Sequence, residues 1–143
     1  MRLIDPRTGI EVLDRDECLQ LLRSQAVGRL AVVEDGAPMI LPVNYAMDGD
    51  TIVFRTAEGT KFDAAVRGGP VAFEIDHTDP VYQIGWSVVV TGHARLITDG
   101  PDLERAAALP LRPWSDHAKS NWVGIHAEGA SGRRIVSVRH PEA

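Results

Sequence analysis

The chain is poor in several things that would have simplified its reading. It has a single cysteine, Cys18, in 143 residues, so no internal disulfide can staple it and no cysteine-based zinc cluster can form. No apolar run approaches the roughly 20 residues of a membrane-spanning helix. The opening MRLIDPRTG has neither the apolar core nor the cleavage pattern of a signal peptide. No membrane partner is therefore expected, and a reducing cytoplasm is the expected setting. Positive charge is also short: 15 Lys and Arg against 20 Asp and Glu give a net charge of −5. A nucleic-acid backbone needs a basic face, so nucleic acid is not an expected partner. The five histidines show no HExxH or similar ligand spacing, so no metal is expected. Ser24, Ser87, Ser115 and Ser120 lack a nucleophile elbow. Neither a GxxxxGK[ST] loop nor a GxGxxG turn is present.

What is present is an ordinary globular composition, 44% apolar and 24% charged, in a length that suits one domain over residues 1–143. Residues 1–13 read as extended, broken by Pro6 and Gly9. Asp14 with Glu17 three places on fits a capping box, and the helix it opens places Cys18, Leu21 and Leu22 on one face. Cys18 then reads as a small core residue. Alternation from Gly28 to Val33 marks a first strand closed by the hairpin signal Asp35-Gly36. Met39 to Met47 forms a second, and Asp48-Gly49-Asp50 turns into a third. Pro42 removes a ladder donor and so belongs on an edge or at a bulge. Val71, Phe73 and Ile75 alternate in a fourth strand. A fifth runs from Tyr82 to Thr98, where Gly85 and Gly92 mark a bend or a close backbone approach. A helix opens near Asp99 and ends at Pro110. An alternating stretch at Trp122–Ala127, a glycine-rich turn at Glu128–Gly132 and a last strand at Arg133–Arg139 complete a mainly β pattern, a β-barrel with a few short helices.

The stretch with most chemistry is TIVFRTAEGTK, residues 51–61. After the strand Ile52-Val53-Phe54, Arg55, Thr56, Thr60 and Lys61 bring two cations and two hydroxyls into seven residues. Gly59 lies between them, where the backbone can take positive φ. Guanidinium fork, ammonium, hydroxyls and a helix start near Thr60 together suit a phosphate. Read alone, the same residues also fit a solvated strand end before a capped helix. Trp86 and Trp122 could each wall a planar ring or fill the core; Trp86 sits between the small residues Gly85 and Ser87. Asn44 could bond a ligand or its own backbone. His93 reads as packed or surface, and Arg133-Arg134 as facing solvent.

This run, with PMILPVNYAMDGD before it and GWSVVVTGHARLITD after it, resembles the pyridoxamine 5'-phosphate oxidase-like family of FMN-binding split-barrel proteins, best over residues 14–98. The resemblance implies a homodimer with FMN at the subunit interface. Arg55, Thr56, Thr60 and Lys61 would hold the phosphate; Pro42, Val43 and Asn44 would border the ring; Trp86 and Ser87 would close the pocket from the partner. It implies an oxidoreductase passing hydride through FMN to or from a small organic substrate, the flavin doing the chemistry that no side-chain set here provides. The arginine and histidine pattern for a pyridoxamine phosphate substrate is not matched, Gly132-Arg133-Arg134 being only a partial echo, so that substrate is not expected. Two rivals share the fold: a deazaflavin-dependent reductase, and a non-catalytic module binding flavin or haem.

Overall fold

A computed structural model describes residues 3–57, 59, 63, 66, 69–111 and 121–136. In chain order the elements are β1 (Leu3–Ile4), β2 (Glu11–Leu13), α1 (Arg15–Arg23), β3 (Val27–Glu34), β4 (Ala37–Asn44), β5 (Ala46–Asp48), β6 (Thr51–Thr56), β7 (Pro70–Asp79), β8 (Ile84–Leu96), α2 (Gly100–Ala108), β9 (Asn121–His126) and β10 (Gly129–Ile135). The fold is mainly β, as the alternating pattern required. No helix of the described residues is long and apolar enough to cross a membrane.

Local chemistry fixes the turns. Asp14 Oδ1 accepts from Glu17 N at 2.8 Å, and Glu17 Oε1 accepts from Asp14 N in return, closing the expected capping box. Cys18 is fully buried beneath α1 with Leu19 and Leu22, and burial pushes its thiol pKa up, which makes it inert. Asp35 and Gly36 both have positive φ, 49° and 76°, as the type I′ hairpin between β3 and β4 demands.

The second expected strand, Met39 to Met47, is one stretch of chain but two ladders. It breaks at Tyr45, whose N–H donates to Ala26 O at 3.0 Å and whose hydroxyl donates to Leu22 O at 2.6 Å. β4 pairs with β3 and β5 pairs with β6, so the chain leaves one sheet for the other at this residue. That transfer closes a circuit: β3 to β4, onward through β5 to β6, then β9, β8, β7 and back to β3. A sheet closed in this way is a barrel, here the split barrel expected, and it leaves few free edges.

The expected turn at Glu128–Gly132 is not one. β9 and β10 run in the same direction along the same edge of β8: Leu96, Arg95 and Ala94 face Val123, Gly124 and Ile125, and Thr91 to Gly85 face Gly129 to Ile135. Between Ala94 and Thr91, His126, Ala127 and Glu128 oppose only Gly92 and His93, so the pair is one long strand with a bulge of one extra residue. A Cβ on Gly92 would lie 2.4 Å from His126 O, which is the close backbone approach the glycine signalled.

The barrel is filled by Leu30, Val32, Phe73, Ile75, Val88, Val90, Ile52, Phe54, Val123 and Ile125, all buried. Phe73 fits because β3 carries Gly28 beneath it: a Cβ there would sit 2.2 Å from the ring.

Candidate functional site

Side chains alternate across a strand, so Arg55 and Thr56 point to opposite sides of β6. Arg55 faces outward opposite Trp122 of β9 in the register, its guanidinium carbon 4.6 Å from the indole centroid. Such a stack holds a cation over the ring face and is worth about 0.5–2 kcal/mol. The Nε of Arg55 is buried without a hydrogen-bond partner, and it is the single such side-chain nitrogen or oxygen among the described residues. A buried donor left in this state costs roughly 1–3 kcal/mol, a cost that an anionic oxygen at that position would relieve.

Thr56 turns inward and is buried. Its hydroxyl donates to Asp63 Oδ1 at 2.6 Å, and Asn121, its register partner on β9, donates through Nδ2 to the same oxygen at 3.0 Å. Gly59 N donates to Asp63 Oδ2 at 3.3 Å, with Gly59 at φ 79°. The hydroxyl expected to meet a phosphate is therefore committed to a buried carboxylate. Thr60 and Lys61, the other two residues of the expected phosphate set, lie outside the described residues.

β4 ends the larger sheet's path, with β3 as its strand neighbour there. Pro42 and Pro38 are tolerated because that edge asks them for no donor. Pro42 is exposed, Asn44 half-buried, and Val43 turns inward to pack on the core. Continuing the β5–β6 register two residues beyond Ala46 and Val53 sets Asn44 against Arg55, and β4 does lie close to β6 across the break at Tyr45. Pro42, Asn44 and Arg55 thus share the outer side of the barrel where β4 and β6 part.

Trp86 and Ser87 are elsewhere. They sit near the start of β8, between His77 and Asp76 of β7 and Arg134 and Arg133 of β10. Trp86 packs on the core, its ring 6.4 Å from that of His77 and tilted by 31°. Both residues line a cavity of about 480 Å³ with Ile10, Gln83, Ile84 and Arg133. The room at Gly85 is taken by the chain itself, since a Cβ there would lie 2.7 Å from His77 O. Trp122, by contrast, is level with Ile97, whose N–H donates to its carbonyl at 2.9 Å. The Trp86 pair and the Arg55 pair are therefore at opposite ends of the longest strand, roughly 36 Å apart along its contour at about 3.3 Å per residue.

Other expected surface residues sort similarly. His93 is exposed and meets Glu128 at 3.0 Å, and His126 meets Asp50 at 2.9 Å. Arg133 is exposed, but Arg134 corrects the solvent reading: it is half-buried between Glu11 at 3.8 Å and Glu17 at 3.7 Å. No cluster able to hold a metal exists among the described residues. Asp63 and Asn121 escaped the sequence reading because no spacing rule links residues 56, 63 and 121; only the β6–β9 register brings them together.

The donor set at the Arg55 end, an unpartnered guanidinium N–H beside an outward amide and an open strand edge, fits a phosphate-bearing ligand. The family model for pyridoxamine 5'-phosphate oxidase matches residues 14–134. An uncharacterized protein of Mycobacterium tuberculosis is 38% identical over 143 residues, covering 95% of this chain and 93% of its own. The structure of an FAD-binding protein from Mycobacterium smegmatis superposes with a TM-score of 0.76 at 38% identity, covering 87% of this chain and 96% of the other. That of an FAD-binding protein from Mesorhizobium loti gives 0.71 at 25% identity, covering 89% and 99%. With a family model matched over residues 14–134 and relatives aligned over nearly their whole length, the chain belongs to the pyridoxamine 5'-phosphate oxidase family.

Proposed function

We propose that this protein is a flavin-dependent oxidoreductase that grips the ribityl phosphate of its cofactor at the outer end of β6 and completes the site with a second copy of itself. The observation that carries the reading is Arg55: a guanidinium stacked on Trp122 with a buried Nε that has no acceptor. An oxygen of the phosphate supplies that acceptor, and Asn44 and the Pro42 edge border the ring. Thr60 and Lys61 add a hydroxyl and an ammonium to the phosphate. Trp86 and Ser87, at the far end of β8, serve the site of the partner copy. The flavin, when bound, supplies hydride transfer, two electrons and a proton taken from a reduced small organic substrate or nicotinamide and handed to an oxidised acceptor. The protein's part is to bind, orient and exclude water, which needs no acid–base pair. A cytoplasmic location suits this chemistry.

FMN is the proposed cofactor. FAD carries the same ribityl phosphate as the first half of its pyrophosphate, and the FAD-binding relatives make it the specific competitor. Titrating the apoprotein with each flavin decides between them. Twin flavin absorbance bands that stay with the protein through gel filtration are expected on uptake. Arg55→Ala is expected to weaken binding by roughly 1.5–3 kcal/mol, about ten- to a hundredfold in Kd. Unchanged affinity would remove Arg55 from the site. A single near-violet band or a Soret band after expression would instead point to a deazaflavin or haem.

A further inference from the structure

We infer that Asp63 is the positioning residue of the phosphate site, a buried carboxylate that ties Thr56 at the end of β6, Asn121 at the start of β9 and Gly59 together beside the Arg55–Trp122 pair so that an anion can be received there; this rests on the flavin reading above. A carboxylate beside a phosphate site is at first sight misplaced, since like charges repel. The geometry gives it another task. Asp63 is 3% exposed and bonds Thr56, which turns inward, whereas Arg55 points outward. Its Oδ1 accepts from Thr56 at the end of β6 and from Asn121 at the start of β9, and its Oδ2 accepts from Gly59 N. The end of one strand, the start of its register neighbour and Gly59, which follows the first of them, are thereby tied to one side chain. Gly59 takes the positive φ that the turn requires, and Val66, buried in the core, anchors the chain just beyond.

Bonds to an ionised acceptor are about twice as strong as neutral ones, and residues already tied in place need no reordering when the ligand arrives, which is the general source of affinity from preorganisation. Asp63 acts through Thr56, Gly59 and Asn121 and touches no ligand. Its effect should therefore fall on recognition of the phosphate and leave recognition of the ring alone.

The experiment measures Kd for FMN and for riboflavin, which lacks the phosphate, by flavin fluorescence on the full-length apoprotein, with circular dichroism to confirm folding. The wild type is expected to prefer FMN by at least about tenfold. Asp63→Asn, which turns an acceptor of Gly59 N–H into a donor, is expected to shrink that preference by about tenfold while riboflavin affinity stays within about twofold. Thr56→Val should move it the same way, and Thr56→Ser, which keeps the hydroxyl, should restore it. A folded Asp63→Asn protein with the full FMN preference overturns the inference while leaving the phosphate reading intact. A wild type that binds the two flavins equally overturns the phosphate reading, and the inference with it. Should Asp63→Asn fail to fold, Thr56→Val and Asn121→Ala each remove one tie with the carboxylate kept; an unchanged preference in both is then the overturning result.

Discussion

Charges on the outer face of the barrel show how one side chain sets a measurable property. Arg29 Nη1 lies 3.0 Å from Glu74 Oε1 and 3.3 Å from Asp76 Oδ1, and both carboxylates raise the pKa of the guanidinium, Asp76 most. The Glu74 carboxyl is nevertheless pushed above the ordinary carboxylate range, first by burial and then by its hydrogen bond to Asp76 and by the charge of Asp76, with Arg29 acting against the rise. A group whose pKa is higher folded than unfolded binds its proton more tightly in the folded state. It therefore adds stability below the ordinary carboxylate pKa and loses that contribution as pH rises through the elevated folded-state value. Glu74→Gln fixes the neutral form. Its thermal midpoint is expected to gain on that of the wild type as pH rises from acid to neutral, read from melts of both proteins across that range. A gap that stays constant with pH would show that burial does not govern this carboxyl.

Among the elements, β8 and its bulged partner decide the shape. Gly92 faces the extra residue of the bulge, and a Cβ there would meet the carbonyl of His126, a backbone atom that cannot swing aside. Gly92→Ala is expected to destabilise the fold by roughly 1–3 kcal/mol, the range for overpacking, seen as a lower denaturation midpoint. An unchanged midpoint would mean that the corner is soft. The same region explains where the sequence misleads. Glu128-Gly129-Ala130-Ser131-Gly132 has the composition of a turn, but its glycines are there for packing: a Cβ on Gly129 would lie 2.6 Å from Thr91 Oγ1, and one on Gly132 would lie 2.8 Å from Cys18 Sγ. A missing side chain looks the same in a sequence whether it frees the backbone or makes room for a neighbour. The strand pairs β3, β4 and β6 and the cap of α1 were legible because short-range rules govern them. The break at Tyr45 was not, since it depends on the carbonyls of Ala26 and Leu22. The site divides the same way: Arg55 stood out as a cation at a strand end, whereas Trp122 beneath it and Asp63 behind Thr56 required the register of β6 on β9.

At the scale of the whole molecule, barrel closure determines what one chain can do alone. The circuit returns to β8 with a stagger: Ser87 is level with Asp76 on one side, while Trp122 beside Arg55 is level with Ile97 on the other. Closed sheets need such a stagger to tilt their strands, and here it places the Arg55 group and the Trp86 group at opposite ends of β8. In the proposed homodimer, a two-fold pair of copies, the commonest oligomer and one whose interface residues contact each other reciprocally, would bring the Arg55 end of one protomer to the Trp86 end of its partner, twice. Mixing two defective proteins tests this. Arg55→Ala spoils the phosphate half of both sites in its own dimer, and Ser87→Arg blocks the other half in its own. A hybrid dimer then holds one site with both halves intact and one with both spoiled. With random exchange half of the dimers are hybrids, so roughly a quarter of all sites should regain wild-type flavin affinity, read by fluorescence titration after unfolding and refolding the mixture. If both halves came from a single chain, every site in the mixture would still carry one defect, and no tight-binding fraction would emerge at any mixing ratio.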